Sequence, residues 1–313
     1  MPEDCKDVVE IVDQVRERYE LDSYRADRAL VIAPFGQTHF HQALSRLRRS
    51  RALRKLAGED RLLVLIMTSS SVDVSSAPDW VRCVQLDIVS GWPEPSRYQN
   101  RFIKWSLPVL LRHVERSIYV DSDLYIVGGA ENISQVFEEA AENGFVIAQH
   151  NARSGWLAEY EAILRGGRYL SLSSLEAQRA MMLDAGVDPK GPVYQANYVA
   201  RKHGCEFDAL AWKVLACLRS YSERDQLALI WACHETGLAP FSQREGIRLL
   251  TSFTGALDRE KLTFVDPNSL PHHLMQLGWR VFPLTVRSFF GIRVRRLQRK
   301  IRKFRSKALG SSA

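Results

Sequence analysis

Short apolar runs, closed by turn residues and separated by amphipathic stretches of helix length, restrict this chain to an architecture of alternating strands and helices. The runs are Ala29 to Pro34, Arg61 to Thr68, Val81 to Leu86, Ser117 to Val120 and Phe145 to Gln149. Runs this short and this apolar read as strands buried on both faces. Around them, Val8, Ile11, Val12 and Val15 space out an opening helix over residues 5 to 20, and a basic helix runs from about Thr38 to Leu56. Further helices are expected over Arg97 to Val114, kinked at Pro108, and over Glu131 to Asn143. The alternation predicts an α/β fold: a mixed, mainly parallel sheet flanked by helices. In such sheets the ligand site lies beyond the carboxyl ends of the strands.

The second half is more helical, with segments near Ser154 to Arg165, Leu172 to Ala185, Asp208 to Leu218 and Arg224 to Thr236. An extended stretch, Pro192 to Ala200, interrupts them, and Leu262 to Val265 is a late strand candidate. Residues 1–28 therefore read as an N-terminal helix, 29–284 as the main domain and 285–313 as a separate basic tail. The longest aliphatic run, Leu62 to Met67, has six residues, far below the roughly 20 that cross a bilayer. The opening Met1-Pro2-Glu3-Asp4 lacks the basic, then apolar, pattern of a secretory signal. Five scattered cysteines with no Cys-x-x-Cys pair fit reduced thiols in a cytoplasmic protein rather than a disulfide framework or a cysteine-rich zinc site.

Charge divides the chain in two. There are 43 Lys and Arg against 36 Asp and Glu, and from Arg287 onward ten residues are basic and none acidic. The remaining body holds 33 basic and 36 acidic residues, which argues against a nucleic-acid partner. In the tail, Ile292, Val294, Leu297, Ile301 and Phe304 recur at helical spacing among Arg and Lys. A helix of that kind can lie on an anionic membrane surface; peripheral attachment at the inner face is the leading expectation, with RNA contact or a disordered tail as the alternatives.

The chemistry gathers at Ile118-Tyr119-Val120-Asp121-Ser122-Asp123. Two carboxylates two residues apart at a strand end can hold one hard cation, Mn²⁺ or Mg²⁺, that keeps positions for phosphate oxygens. A strand-end turn with solvated acids is the plainer alternative. Arg101 and Lys104 stand i, i+3 on a helix and so share a face; they can offset diphosphate charge or form a solvated face. Ser222 and Asp225 match a capping box, which competes with a role for Asp225 at a substrate hydroxyl; Gln226 has no capping use. His203, His272 and His273 are candidate metal ligands, His273 foremost. Pro34 to Thr38, with Phe35, His39 and His41, either line a nucleotide pocket or form a helix entry capped by Thr38. No Gly-x-Ser-x-Gly, His-Glu-x-x-His or phosphate-loop pattern occurs.

With these residues the sequence resembles nucleotide-sugar glycosyltransferases of the GT-A fold. The blocks that carry the likeness are Tyr98 to Pro108 leading into Ile118 to Leu124, Tyr194 to His203, Ser222 to Leu227, and Pro271-His272-His273. Within that superfamily it is most similar to a hypothetical group containing plant mucilage-related proteins and a protein described as an alkaline ceramidase. The resemblance implies a GT-A-like domain that moves a sugar from a nucleotide-diphosphate donor to a glycan or lipid-linked acceptor. It implies a metal on Asp121, Asp123 and His273, a donor held by Pro34, Phe35, Arg101, Lys104, Asp121 and Ser122, and Asn197, Asp225 and Gln226 at the sugar or acceptor. Gln195 stands where the pattern has an acid. A lipid amide hydrolase, or a non-catalytic binding protein on the same fold, are the competing expectations.

Overall fold

The computed structural model describes residues 6–59, 61–87, 89, 91–93, 96–122, 125–126, 129–150, 153–166, 169–243 and 250–251. The strand candidate Leu262 to Val265, the acid Asp123, His272, His273 and the tail lie outside the described residues. A seven-stranded sheet runs in the order β3-β2-β1-β4-β7-β6-β8, its strands being β1 (Ala26–Ile32), β2 (Leu63–Ser69), β3 (Arg82–Leu86), β4 (Val114–Val120), β6 (Phe145–Gln149), β7 (Tyr194–Lys202) and β8 (Phe241–Gln243). β1 pairs in parallel with β2 and β4, β2 with β3, and β6 with β8. β7 alone runs antiparallel, between β4 and β6. A two-stranded ladder joins β5 (Tyr125–Ile126) to β9 (Leu250–Thr251). The α/β expectation holds; what the alternation of apolar runs does not reveal is the reversal of β7.

The sheet is buried on both faces because successive strand residues face opposite ways. In β1, Ala29 and Val31 enter one core while Leu30 and Ile32 enter the other. In β4, Tyr119 faces the first core while Ile118 and Val120 face the second. The first core is covered by α1 (Lys6–Arg18), α4 (Ser96–Leu110), α6 (Trp156–Gly166), α7 (Leu172–Asp184), α8 (Phe207–Ser220) and α9 (Asp225–Thr236). The second is covered by α2 (Gln37–Arg49), α3 (Arg51–Gly58) and α5 (Ala130–Asn143). The face of α1 that carries Val8, Ile11, Val12 and Val15 packs into the first core with the sheet. No described helix is long and apolar enough to cross a membrane.

Several boundaries move for identifiable reasons. The single basic helix expected over Thr38 to Leu56 is two helices. Ser50 between them is extended (φ −84°, ψ 99°) and its hydroxyl accepts from Leu53 N–H at 3.3 Å, a capping role that restarts the helix. α4 stops at Leu110, shortly after Pro108, and Val114 already belongs to β4. Thr38 does not cap α2: Gly36 occupies the N-cap with φ 96°, a backbone setting that glycine adopts without strain.

His203, a metal-ligand candidate by sequence, is placed elsewhere. It lies beside the amino end of β4, its backbone N–H bonded to Glu115 O at 2.8 Å, so Asp121 is six strand residues away, roughly 20 Å. Its ring is buried, with Nε2 2.7 Å from Ser117 Oγ and Nδ1 3.3 Å from Leu111 O. Burial, helped by the nearby Arg201 charge, pushes its pKa down from 6.5 to about 3. A depressed pKa means that the unfolded chain takes up a proton the folded chain refuses. Folding stability is therefore expected to be complete above pH 6.5 and to decline as the pH falls toward about 3. Urea denaturation across that range tests this, and His203→Gln should remove the one-proton slope.

Candidate active site

The chain lays β1, β2 and β3 outward in one direction and then crosses back to place β4 on the other side of β1. This point of reversal, outside the carboxyl ends of β1 and β4, is where open α/β sheets form their ligand-binding crevice. Pro34, Phe35 and Gly36 follow β1 there, and Asp121 and Ser122 follow β4. The antiparallel β7 brings its first residues, Tyr194 to Asn197, to the same edge. Asn197 O accepts the Asp121 N–H at 2.8 Å, which fixes the backbone where the acids leave the sheet.

Four of the expected site residues meet in one cluster. Lys104 Nζ lies 2.8 Å from Asp225 Oδ2 and 3.3 Å from Asp121 Oδ1, and donates to Ala196 O at 2.5 Å. Arg101 Nε lies 3.1 Å from the same Asp225 oxygen, and its Nη1 lies 3.8 Å from Asp121 Oδ1. α4 supplies both cations from one face, as the i, i+3 spacing requires. β4 and α9 supply the acids. Burial works to raise the Asp225 pKa, but Arg101 and then Lys104 outweigh it and hold the carboxyl below its ordinary 3.8.

The cluster corrects the sequence reading of Lys104. Its side chain is 0% exposed, and its charge is answered by two carboxylates, a carbonyl and the face of the Tyr119 ring 5.0 Å away. A cation so enclosed holds the acids in place and does not face a ligand. Arg101, at 19% exposure, does reach the surface of the crevice. Asp121 Oδ1 is buried against the two cations, so the 21% of its side chain that is exposed lies on its outer atoms. Ser222 does not cap α9: the helix starts at Asp225 with Arg224 as N-cap, and the Ser222 hydroxyl bonds Gln178 instead. Asp225 is thus an ion-pair partner, not half of a capping box. Gln226 Oε1 accepts from Arg224 Nη2 at 3.4 Å.

Three residues that sequence reasoning passed over organise the surroundings. Asn100 Nδ2 donates to Ala33 O and to the Tyr119 hydroxyl, each at 2.7 Å, and its Oδ1 accepts from Arg101 at 2.5 Å. It ties the end of β1 to β4 and orients the arginine. Arg46 of α2 donates to Ser122 O, bracing the acidic turn from the other side. Arg201 stacks near Trp105 and Phe145 at 5.3 and 5.5 Å and donates to Lys104 O at 2.8 Å. Burial lowers the Arg201 pKa to about 10. The helix-face signal that found Arg101 and Lys104 could have found Asn100, one residue earlier; nothing local marks Arg46 or Arg201.

His39 and His41 are exposed on α2, bonded to Phe35 O at 3.1 Å and to Gln37 Nε2 at 2.8 Å. Pro34 O accepts from Thr68 Oγ1 at 2.6 Å, and Phe35 packs against the first core. Among the described residues no three His, Cys, Asp or Glu side chains gather around one point. The strand end does offer oxygen: the outer part of the Asp121 carboxylate, and Asn197 Oδ1, a buried acceptor with no hydrogen bond among the described residues. These donors fit a hard divalent cation that takes one or two carboxylates and fills its other positions with water and phosphate.

No protein-family model matches this sequence, and no curated protein matches it. Among solved structures, the chain is similar to the bifunctional glycosyltransferase WbbM in its apo form (TM-score 0.44, 11% identity, 67% of this chain and 38% of that one). It spans about two fifths of the length of WbbM. It is also similar to mouse xyloside xylosyltransferase 1, apo form (TM-score 0.39, 10% identity, 71% and 86%). A third is core-mannan synthase A from Aspergillus fumigatus in a manganese and GDP form (TM-score 0.39, 9% identity, 67% and 70%).

Removing the Asp225 charge takes a partner from the buried Lys104 and from the partly exposed Arg101. Asp225→Asn is expected to lower unfolding free energy by about 3 kcal/mol, the scale for breaking a buried pair from one side. Because the folded carboxyl titrates below its ordinary value, its contribution is complete above about pH 4 and disappears as the pH falls through the folded pKa. Chemical denaturation at neutral and acid pH checks both points: the variant should lose most at neutral pH and converge on the parent in acid.

Proposed function

We propose that the chain is a glycosyltransferase that moves a sugar from a nucleotide-diphosphate donor to an acceptor hydroxyl, with Mn²⁺ or Mg²⁺ held by Asp121 and Asp123 and by His273 as third ligand. The observation that carries this reading is the position of the Asp121 turn. It follows β4 at the reversal point of the sheet, is held by Asn197 and Arg46, and is backed by the buried Lys104 and the partly exposed Arg101. Three of the GT-A-like sequence blocks, Tyr98 to Pro108 with Ile118 to Ser122, Tyr194 to His203 and Ser222 to Leu227, lie on or next to α4, β4, β7 and α9. The cation supplies neutralisation of the charge that grows on the departing diphosphate.

The chain's own residues do the rest. Pro34, Phe35 and Ser122 border the donor, and Arg101 extends its planar fork toward phosphate oxygens from the rim of the crevice. Lys104 holds Asp121 and Asp225 side by side and, with Arg101, favours the charged form of Asp225. Asn197, through its unpaired Oδ1, and Gln226 accept or donate at sugar or acceptor hydroxyls, next to the fixed Asp225. Catalysis then rests on positioning and on electrostatic stabilisation of the leaving group. The acceptor is a glycan or a lipid-linked saccharide, and the basic tail holds the protein at the anionic cytoplasmic face of a membrane.

A thermal-shift panel of UDP, GDP, CDP and their sugars, with and without Mn²⁺, tests the donor site. One nucleotide is expected to raise the melting temperature only when the metal is present, and Asp123→Ala should abolish that rise while leaving the unliganded melt unchanged. A full shift in the variant would sink the acid-pair assignment. Deleting Arg293 to Ala313 should weaken binding to anionic vesicles and leave the nucleotide shift intact; sedimentation with vesicles reads the first and the same thermal assay the second.

A further inference from the structure

The α2–α3 layer carries a cationic face that the protein itself barely answers. From Arg46 to Lys55 the sequence holds six cations, Arg46, Arg48, Arg49, Arg51, Arg54 and Lys55, and no acid. Phe40, Leu44, Leu47, Leu53 and Leu56 bury the apolar side of both helices against the sheet, and Arg48, Arg49, Arg51, Arg54 and Lys55 are all exposed. Arg51, Arg54 and Lys55 stand i, i+3, i+4 on α3 and share one face. Arg48 and Arg54 bond only carbonyls, those of Ser76 and Arg48, and Arg49 and Arg51 make no polar contact with the described residues. Of the five exposed cations, Lys55 alone meets an acid among the described residues, Glu59, at 3.8 Å.

An ordinary solvated helix face mixes signs and forms i, i+4 pairs. This one holds no acid between Arg46 and Lys55, and its i, i+4 ion pairing among the described residues is limited to Lys55 with Glu59 just past the end of α3, although the body as a whole has fewer basic than acidic residues. The helix dipole accounts for Arg48 and Arg49, which end α2 where carbonyls collect negative charge. It works against Arg51 and Arg54, which open α3, where the exposed N–H groups already carry positive charge. Among the described residues Arg51 has no polar partner and Arg54 has the Arg48 carbonyl at 3.4 Å and no acid, so both charges are open to a complement outside the fold.

We propose that the α2–α3 face docks on an anionic lipid bilayer. Two observations favour a bilayer over a soluble polyanion. The chain also carries a basic tail with apolar residues at helical spacing, Ile292, Val294, Leu297, Ile301 and Phe304; those apolar positions suit an acyl boundary, and stable anchoring takes two weak signals acting together. The second is placement: Arg46, on the same helix, holds Ser122 O, so the docking face adjoins the acidic turn and would bring the crevice to the level of the lipid headgroups. The exposed large apolar side chains, Leu170, Leu172, Leu183 and Phe241, all lie on other elements, so the contact is electrostatic and salt-sensitive. The docking stands whether or not the chain transfers sugars.

The test uses the full chain with phosphatidylserine–phosphatidylcholine vesicles, phosphatidylcholine vesicles and, in a separate arm, heparin. Arg49→Glu/Arg51→Glu/Arg54→Glu, with the tail intact, is expected to lower affinity for the anionic vesicles by about a hundredfold or more, at roughly fivefold per cation. Replacing the same three by Lys should keep the parent affinity within about fivefold. Melting curves verify folding, and Arg49→Gln/Arg51→Gln, with an expected loss of about 25-fold, serves if the triple reversal unfolds. Unchanged vesicle affinity in a folded variant overturns the proposal, as does a parent chain that ignores anionic vesicles. Loss of heparin binding with vesicle binding kept also overturns it and assigns the face to a soluble polyanion.

Discussion

The ammonium of Lys104, shut away from water between Asp225 and Asp121, sets the terms for everything around it. A buried cation is tolerable only when it is paired and hydrogen-bonded, and each of its partners comes from a different part of the chain. Asp121 follows β4, Ala196 lies near the start of β7 and Asp225 opens α9. The carbonyl of Lys104 is in turn held by Arg201, which sits on β7 and stacks near Trp105 of α4. Satisfying one amine thus fixes the relative positions of a helix, two strands and a second helix. The acid-bearing turn inherits that rigidity.

Rigidity of this kind matters for a site whose work is positioning. Asp121 is gripped by its backbone through Asn197 and by one carboxylate oxygen through Lys104 and Arg101, which leaves its outer side toward the crevice. Arg101 is shared between Asp225, Asp121 and Asn100, yet part of it remains at the surface. The two neighbours on α4 therefore divide their labour by burial. One is an internal counter-ion and the other reaches solvent, a distinction of about one helical turn.

Local pattern made six of the seven strands of the main sheet and most helices legible, because short apolar runs and 3.6-residue spacing are properties of adjacent residues; the three-residue β8 is too short to leave such a pattern. It also located Asp121 just past the end of β4 and the basic pair on α4. What it missed is set by distant pairing. The antiparallel course of β7 comes from its bonds to β4 and β6, and no residue within β7 encodes a direction. The enclosure of Lys104 depends on Asp225, 121 residues further along, so a helix-face reading naturally assigned both cations to a ligand. Ser222 followed by Asp225 fits the spelling of a capping box, but Gln178 of α7 takes the hydroxyl. The brace from Arg46 to Ser122 spans 76 residues and leaves no trace in local spacing.

The reversed strand at the centre of the sheet also governs how the molecule must come together. Until β7 is in place, β4 presents a bare row of amides and carbonyls on the side away from β1, the kind of edge that pairs with foreign chains. The half comprising β1 to β4 is made first, yet it cannot cover that edge with its own material. During synthesis the order 3-2-1-4 is therefore a half-built raft, safe from aggregation only once the segment near residue 200 has slid in beside it.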